Sequence, residues 1–268
     1  MLLAPIIWIF AVAIVVVFAA KLWWFPPAIS EHGRSYDDQF FITMVVTGVI
    51  FFLAQVALGY VIFRFRDRGR RANYTEGNNR LEMLWTAAAA ILFIGAVLIS
   101  TSLWAGVHFA PTSANALKIE LMAQQFSWNF RYPGADGKFG RLDIKQINSA
   151  GGNPFGIDEK DPAGKDDITS SAIRVPAGRQ ILLAMRSRDV IHNFFVRELR
   201  VKQDIVPGME IPLRFTAETP GAYEVACSEL CGLGHHQMRS TLEVMPPAEF
   251  DKWLQAQAQA LQAQQQQQ

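Results

Sequence analysis

"ACSELCGLGHHQM", residues 226–238, holds both cysteines of the chain together with Glu229, His235, His236 and Met238. The spacing is Cys227-x3-Cys231-x3-His235-x2-Met238. The stretch lies between "AYEVAC" and "RSTLEVM", two segments that read as strands, so it is a loop that gathers donor groups at one end of a β-domain. Three chemistries compete for it. A disulfide is the ordinary fate of exported cysteines, but a bridge across so short a loop stabilises little and leaves His235 and Met238 without a task. A zinc site could use Cys227, Cys231, His235 and one distant His, yet has no use for Met238. Soft thiolate and thioether ligands select copper, and His and Cys with a weak Met mark electron-transfer copper. Two thiolates exceed what a mononuclear site of that kind uses. Sulfurs bridging two coppers, each taking one further His, is the preferred reading.

That reading needs a second imidazole. His32 falls in the first external loop and His108 just beyond the third apolar run. His236 neighbours His235, with its side chain directed away. His192, in "RDVIHNFFV", sits in a strand-like stretch of the same domain and is the supplier of choice over an ordinary hydrogen-bonded core histidine.

Around the loop, the chain is a series of short alternating segments with Gly and Pro punctuation: "LKIELMAQQFSWNFRY", "GRLDIKQI", "AIRVPAG", "QILLAMRSR", "VIHNFFV" and "MEIPLRFTAE". This pattern predicts an antiparallel sandwich or barrel over 108–247. Residues 148–168 read as a polar loop, locally acidic at Asp158, Glu159, Asp161, Asp166 and Asp167 but diluted by Lys160 and Lys165. Residues 248–268 read as a short helix after Pro246-Pro247 and a disordered Gln-rich tail.

Upstream, residues 1–107 read as a membrane anchor. Apolar runs at 2–20, 41–63 and 83–106 approach or exceed the roughly 20 residues that span a bilayer as a helix. Trp8, Trp23, Trp24, Trp85 and Trp104 lie in or near these runs, most of them close to the ends. The first run is either a retained helix or a cleaved signal peptide, with retention preferred. Arg64, Arg66, Arg68, Arg70, Arg71 and Arg80 crowd the loop between the second and third runs, which keeps that loop cytoplasmic and places everything after Trp104 outside. None of the runs contains a His, so this chain offers no haem ligand within the bilayer. Half of its 268 residues are hydrophobic and the net charge is only +1, which gives a nucleic-acid partner no support. Cys-x-x-Cys-His is absent, so no c-type haem domain is fused to the chain.

With "RDVIHNFFV", "RVKQDIVPGMEIPLRF", "GAYEVACSELCGLGHHQM", "DPAGKDDI", "QQFSWNFRYPG" and "LEMLWT" in view, the chain resembles subunit II of the haem-copper oxidases, in the cytochrome c oxidase branch, over roughly residues 35–247. The resemblance implies a membrane-anchored all-β protein: a helical hairpin plus an additional first helix, then a cupredoxin-like Greek-key sandwich carrying the binuclear CuA centre. It implies bridging thiolates at Cys227 and Cys231, one copper completed by His192 and Met238, and the other by His235 and the backbone carbonyl of Glu229. The Glu229 side chain resembles the ligand of an interfacial magnesium ion. Glu82 resembles the carboxylate at the mouth of a cytoplasmic proton pathway. Phe126 stands where many relatives have the Trp that receives the electron, and Trp128 is the second aromatic; strand packing is the preferred reading for Phe126. The implied partners are subunit I with its haems, subunit III, a cytochrome c or similar donor, and membrane lipid, in a bacterial cytoplasmic membrane with the copper domain on the periplasmic side. The implied function is electron relay for the reduction of oxygen to water coupled to proton translocation. The alternatives are the CuA subunit of a nitric oxide reductase and a membrane-tethered copper carrier.

Overall fold

The computed structural model describes every residue except Met1, Leu22, Trp23, Arg70, Ala72, Asn73, Thr75, Glu159, Gln267 and Gln268. The readings of Trp23, Arg70, Glu159 and the last two tail residues therefore lie outside the described residues. The chain forms two compact units, Met1–Pro26 with Ser35–Trp104 and Pro27–Arg34 with Ala105–Gln268.

Three helices run through the N-terminal part: α1 (Leu3–Ala19), α2 (Glu31–Arg64) and α3 (Asn79–His108). Of these, α2 and α3 are long and apolar enough to cross a membrane, and α1 is a shorter apolar helix. A helix of 34 residues is about 51 Å long, against a hydrocarbon core of roughly 30 Å, so α2 carries turns that need not be apolar. It therefore starts at Glu31, well before the apolar run, with an acid in its first turn to suit the helix dipole. His32 is thus helical and not in a loop, and His108 is the last residue of α3. Glu82 lies in the first turn of α3. Within this unit α1 packs on α2. The Trp8 indole donates to the Val56 carbonyl at 3.3 Å, and its ring rests where any Cβ on Gly59 would stand. Small residues let helices approach in this way.

The second unit is a two-sheet sandwich. Its strands are β1 (Leu117–Gln124), β2 (Ser127–Tyr132), β3 (Ile168–Ser170), β4 (Ile173–Pro176), β5 (Gln180–Ser187), β6 (His192–Val196), β7 (Val201–Ile205), β8 (Ile211–Thr216), β9 (Gly221–Cys227) and β10 (Arg239–Met245). One sheet runs β3-β2-β1-β5-β8 and the other β4-β10-β9-β6-β7. β1 pairs with β5, and β4 with β10, in parallel. Alternation sends Ile119, Leu121, Ile181 and Leu183 from the first sheet against Phe194, Val225, Leu242 and Val244 from the second. Each such side chain, fully buried, contributes roughly 1.5–3 kcal/mol. Pro212 is accommodated because β8 is an edge strand.

Several sequence expectations need correction. The 117–132 segment is not continuous: Gln125 and Phe126, joined by a cis peptide, close a hairpin in which Gln124 pairs with Ser127. "GRLDIKQI" is not a strand. The Asp143 carboxylate accepts from the Lys145 amide at 2.9 Å and winds Ile144–Gln146 into a 3-10 turn. "VKQDI" forms β7, whose polar residues suit a sheet edge. The C-terminal segment is one helix, α4 (Pro247–Gln265), since Ala and Gln are good helix formers. It belongs to the β-unit: Phe250 is buried in the core, the Trp253 ring lies 5.2 Å from that of Tyr132, and Gln265 donates to the Lys165 carbonyl at 2.6 Å. Pro27–Arg34 also joins this unit. The Ile29 amide donates to Glu198 and the Ile29 carbonyl accepts from Glu218, at 2.9 and 2.8 Å.

The acidic loop is bound internally. Asp158 accepts from the Lys160 amide, Gln146 and Arg141, contacts that hold its carboxyl down at about 2. Deeper in, the Arg131 guanidinium is fully buried between Glu120 (2.9 Å), Asp167 and the Gly140 carbonyl (2.6 Å).

Candidate metal centre

Sheet register brings the first imidazole to the first thiol. β6 and β9 are antiparallel with Phe194 opposite Cys227. His192 stands two residues before Phe194, hence on the same face. The ladder continues past the end of β9 through the Ser228 amide, which donates to the Asn193 carbonyl at 3.2 Å. The chain then loops from Ser228 to Met238 and returns as β10. A 3-10 turn at His235–Gln237 directs His235 and Met238 back toward the cysteines. The Met238 carbonyl is held twice, by the Cys227 amide at 3.1 Å and by the Trp128 indole N–H at 3.3 Å.

The two thiols stand 3.8 Å apart and are free, far beyond the roughly 2.05 Å of a disulfide. Cys227 Sγ lies 3.9 Å from His192 Nδ1 and 3.1 Å from the Glu229 carbonyl oxygen. Cys231 Sγ lies 3.6 Å from His235 Nδ1 and 3.8 Å from Met238 Sδ. A tetrahedral ion with metal–sulfur bonds of about 2.3 Å and metal–nitrogen bonds of about 2.0 Å has ligand–ligand edges of about 3.5–3.8 Å. Donor atoms of His192, Cys227 and Cys231 all fall within 4.8 Å of one another, and all three residues are buried. Burial, then the neighbouring Cys227, pushes the Cys231 thiol up to about 11. Two thiolates so close repel strongly in a low dielectric, and cations beside them remove that penalty. The donor set therefore fits metal, and its softness fits copper.

The remaining sequence candidates fall into distinct places. The Glu229 side chain and His236 are exposed. Phe126 is 39% exposed and packs against Gly232 and Gly234. Trp128 is buried, edge-on to Phe194 and His192 at 6.1 and 6.3 Å between ring centres. Glu82 lies in the first unit and His32 in the second. Two supporting residues escaped the sequence reading. Asp189 meets His192 Nε2 at 2.8 Å through one carboxylate oxygen; its three-residue spacing from His192 in "DVIH" is the one available signal. Gln125 donates its backbone amide to the other Asp189 oxygen at 2.7 Å and its side-chain amide to the Cys231 carbonyl at 2.5 Å. Nothing local in the sequence marks it.

The family model described as cytochrome C oxidase subunit II, periplasmic domain, matches residues 117–245. A crystal structure of the periplasmic domain of cytochrome oxidase subunit II from Bradyrhizobium japonicum aligns at 25% identity and a TM-score of 0.41, over 56% of this chain and 98% of that one. The cytochrome c oxidase subunit 2 of Synechocystis is 30% identical, over 92% of this chain and 81% of the relative. The alternative cytochrome c oxidase subunit 2 of Bradyrhizobium diazoefficiens is 34% identical over 260 residues, 96% of this chain and 92% of its own length. Kinship along nearly the whole length, in a chain whose β-sandwich carries a thiol–imidazole cluster in the loop between β9 and β10, makes this protein a member of the cytochrome c oxidase subunit II family.

Proposed function

We propose that the chain receives electrons from a cytochrome c or similar carrier outside the membrane and passes them through a copper pair in its β-domain to a haem-bearing subunit I. The coarser part follows from the family: the chain is an electron-transfer subunit of an oxidase, an oxidoreductase complex. The observation that carries the finer part is the pair of thiols 3.8 Å apart with an imidazole Nδ1 against each. Cys227 and Cys231 would bridge the ions. His192 and Met238 would complete one, and His235 with the Glu229 carbonyl the other. A copper pair bound there supplies one-electron transfer with little change of geometry. The chain's own part is rigidity and dryness. Cys227, Cys231, His192 and Met238 are buried, and hydrogen bonds from Trp128 and Cys227 hold the Met238 carbonyl. A copper carrier needs an exchangeable site, which this burial opposes.

The exposed side chains of Phe126, Ile191, Leu230 and Leu233 near these ligands form an apolar rim suited to partner docking. Phe126 is the solvent-facing aromatic and serves as a donor contact, while Trp128 stiffens the ligands from within. The exposed Glu229 carboxylate is free to take magnesium at a subunit interface. Glu82, in the first turn of α3, would serve as the mouth of a proton pathway for oxygen reduction to water and proton translocation. The arginine-rich loop sets the orientation, with the β-domain on the periplasmic side of a bacterial cytoplasmic membrane and subunits I and III as neighbours. The seat of Trp8 on Gly59 supports retention of α1 as a third membrane helix.

The test is purification of the tagged full chain from membranes, followed by rapid mixing with reduced cytochrome c. The expected result is a co-purifying haem subunit and copper absorbance that changes before the haem signal. A preparation without a haem partner, or haem reduced ahead of the copper, contradicts the reading.

A further inference from the structure

Resting on the copper-pair reading, we infer that Gln125 is a positioning residue that fixes Cys231 relative to His192, and with it the symmetry and retention of the metal pair. His192 starts β6, whereas Cys231 sits in the loop after β9. Gln125, in the hairpin turn between β1 and β2, bonds to both sides. Its backbone amide holds Asp189 Oδ2 at 2.7 Å, and Asp189 Oδ1 holds His192 Nε2 at 2.8 Å. That leaves Nδ1 as the ring atom facing Cys227. On the other side the Gln125 side-chain amide donates to the Cys231 carbonyl at 2.5 Å. Gly232 makes this approach feasible: its φ is +134°, and a Cβ there would lie 2.8 Å from Gln125 Nε2 and 3.1 Å from the Phe126 ring. At Gly234 a Cβ would fall into that ring. The hairpin turn is therefore closed against the ligand loop, with one side chain bonded to it.

A side-chain substitution at Gln125 leaves its backbone bond to Asp189 in place and releases only the Cys231 arm. Cys231 Sγ faces both His235 and Met238, so its displacement makes the two ions unequal. Asp189→Asn alters the other arm. The test uses the full chain purified in its membrane complex, with Gln125→Leu and Gln125→Glu compared with wild type, and circular dichroism as the check on folding. The readouts are copper loss to a chelator and the copper hyperfine pattern in electron paramagnetic resonance. Supporting contacts of this kind typically change metal affinity about tenfold to a hundredfold. Both variants should lose copper faster by about that factor, with an unequal hyperfine pattern where wild type shows an equal one. Gln125→Met, of similar length and without a donor, decides the matter if Gln125→Leu does not fold. Variants that keep wild-type retention and an equal pattern overturn the inference while leaving the copper pair standing. A wild type without a two-copper signal instead removes the reading on which the inference rests.

Discussion

Cys231→Ser is expected to lower bound copper from two ions per chain to at most one, and to slow electron flow from donor to oxygen by at least about a hundredfold. Changes to contacts merely outside the ligands already cost roughly tenfold to a hundredfold, and this one removes a sulfur that faces Cys227, His235 and Met238. A hydroxyl is a harder ligand and a poor substitute for a thiolate toward copper. The fold should survive, because β9, β10 and the Trp128 bond to the Met238 carbonyl do not use the Cys231 sulfur. Copper analysis, near-infrared absorbance and oxygen uptake, with circular dichroism as the folding check, decide it. A serine variant that keeps two coppers and normal turnover would remove Cys231 from the site.

Arg131→Met should be the most destabilising single change away from the metal loop, by about 3–5 kcal/mol near neutral pH, the range for breaking a buried ion pair. It leaves Glu120 and Asp167 facing each other without the cation between them. The pH dependence has a definite sign. Burial already lifts the Asp167 carboxyl above its ordinary value despite the guanidinium. A group lifted in the folded state favours the fold below its unfolded pKa, and that advantage is lost as pH rises through the lifted value. Without Arg131 the lift grows, so the defect should be small in acid and increase toward neutrality. Denaturant titrations of wild type and variant at several pH values measure it; a defect independent of pH would contradict this account. Adding Glu120→Gln and Asp167→Asn should recover part of the loss.

The metal loop was legible because its chemistry is compressed into Cys227–Met238, and because His192 stands alone in an alternating apolar segment. Strands such as β5 and β9 were legible for the same physical reason, since one buried face imposes a period of two. The misreadings share a cause, which is that the deciding partner lies far away in sequence. The turn at Gln125–Phe126 has no glycine, asparagine or proline, and it is closed by contacts with Asp189 and the Gly232–Gly234 segment. The 142–147 stretch alternates like a strand, but Asp143 turns it. Ile29 lies before an apolar helix and gives no local sign that it bonds to Glu198 and Glu218. The glutamine tail looks disordered by composition, yet Phe250 and Trp253 tie its helix to the sandwich.

The proposed relay requires two coppers held between the sulfurs of Cys227 and Cys231. Electron paramagnetic resonance with metal analysis on the full chain purified from membranes tests this directly. Two coppers per chain, with one unpaired electron split equally by both nuclei, is the predicted result. A single copper with a four-line pattern, zinc in its place, or cysteines joined as a disulfide in the active complex would contradict it.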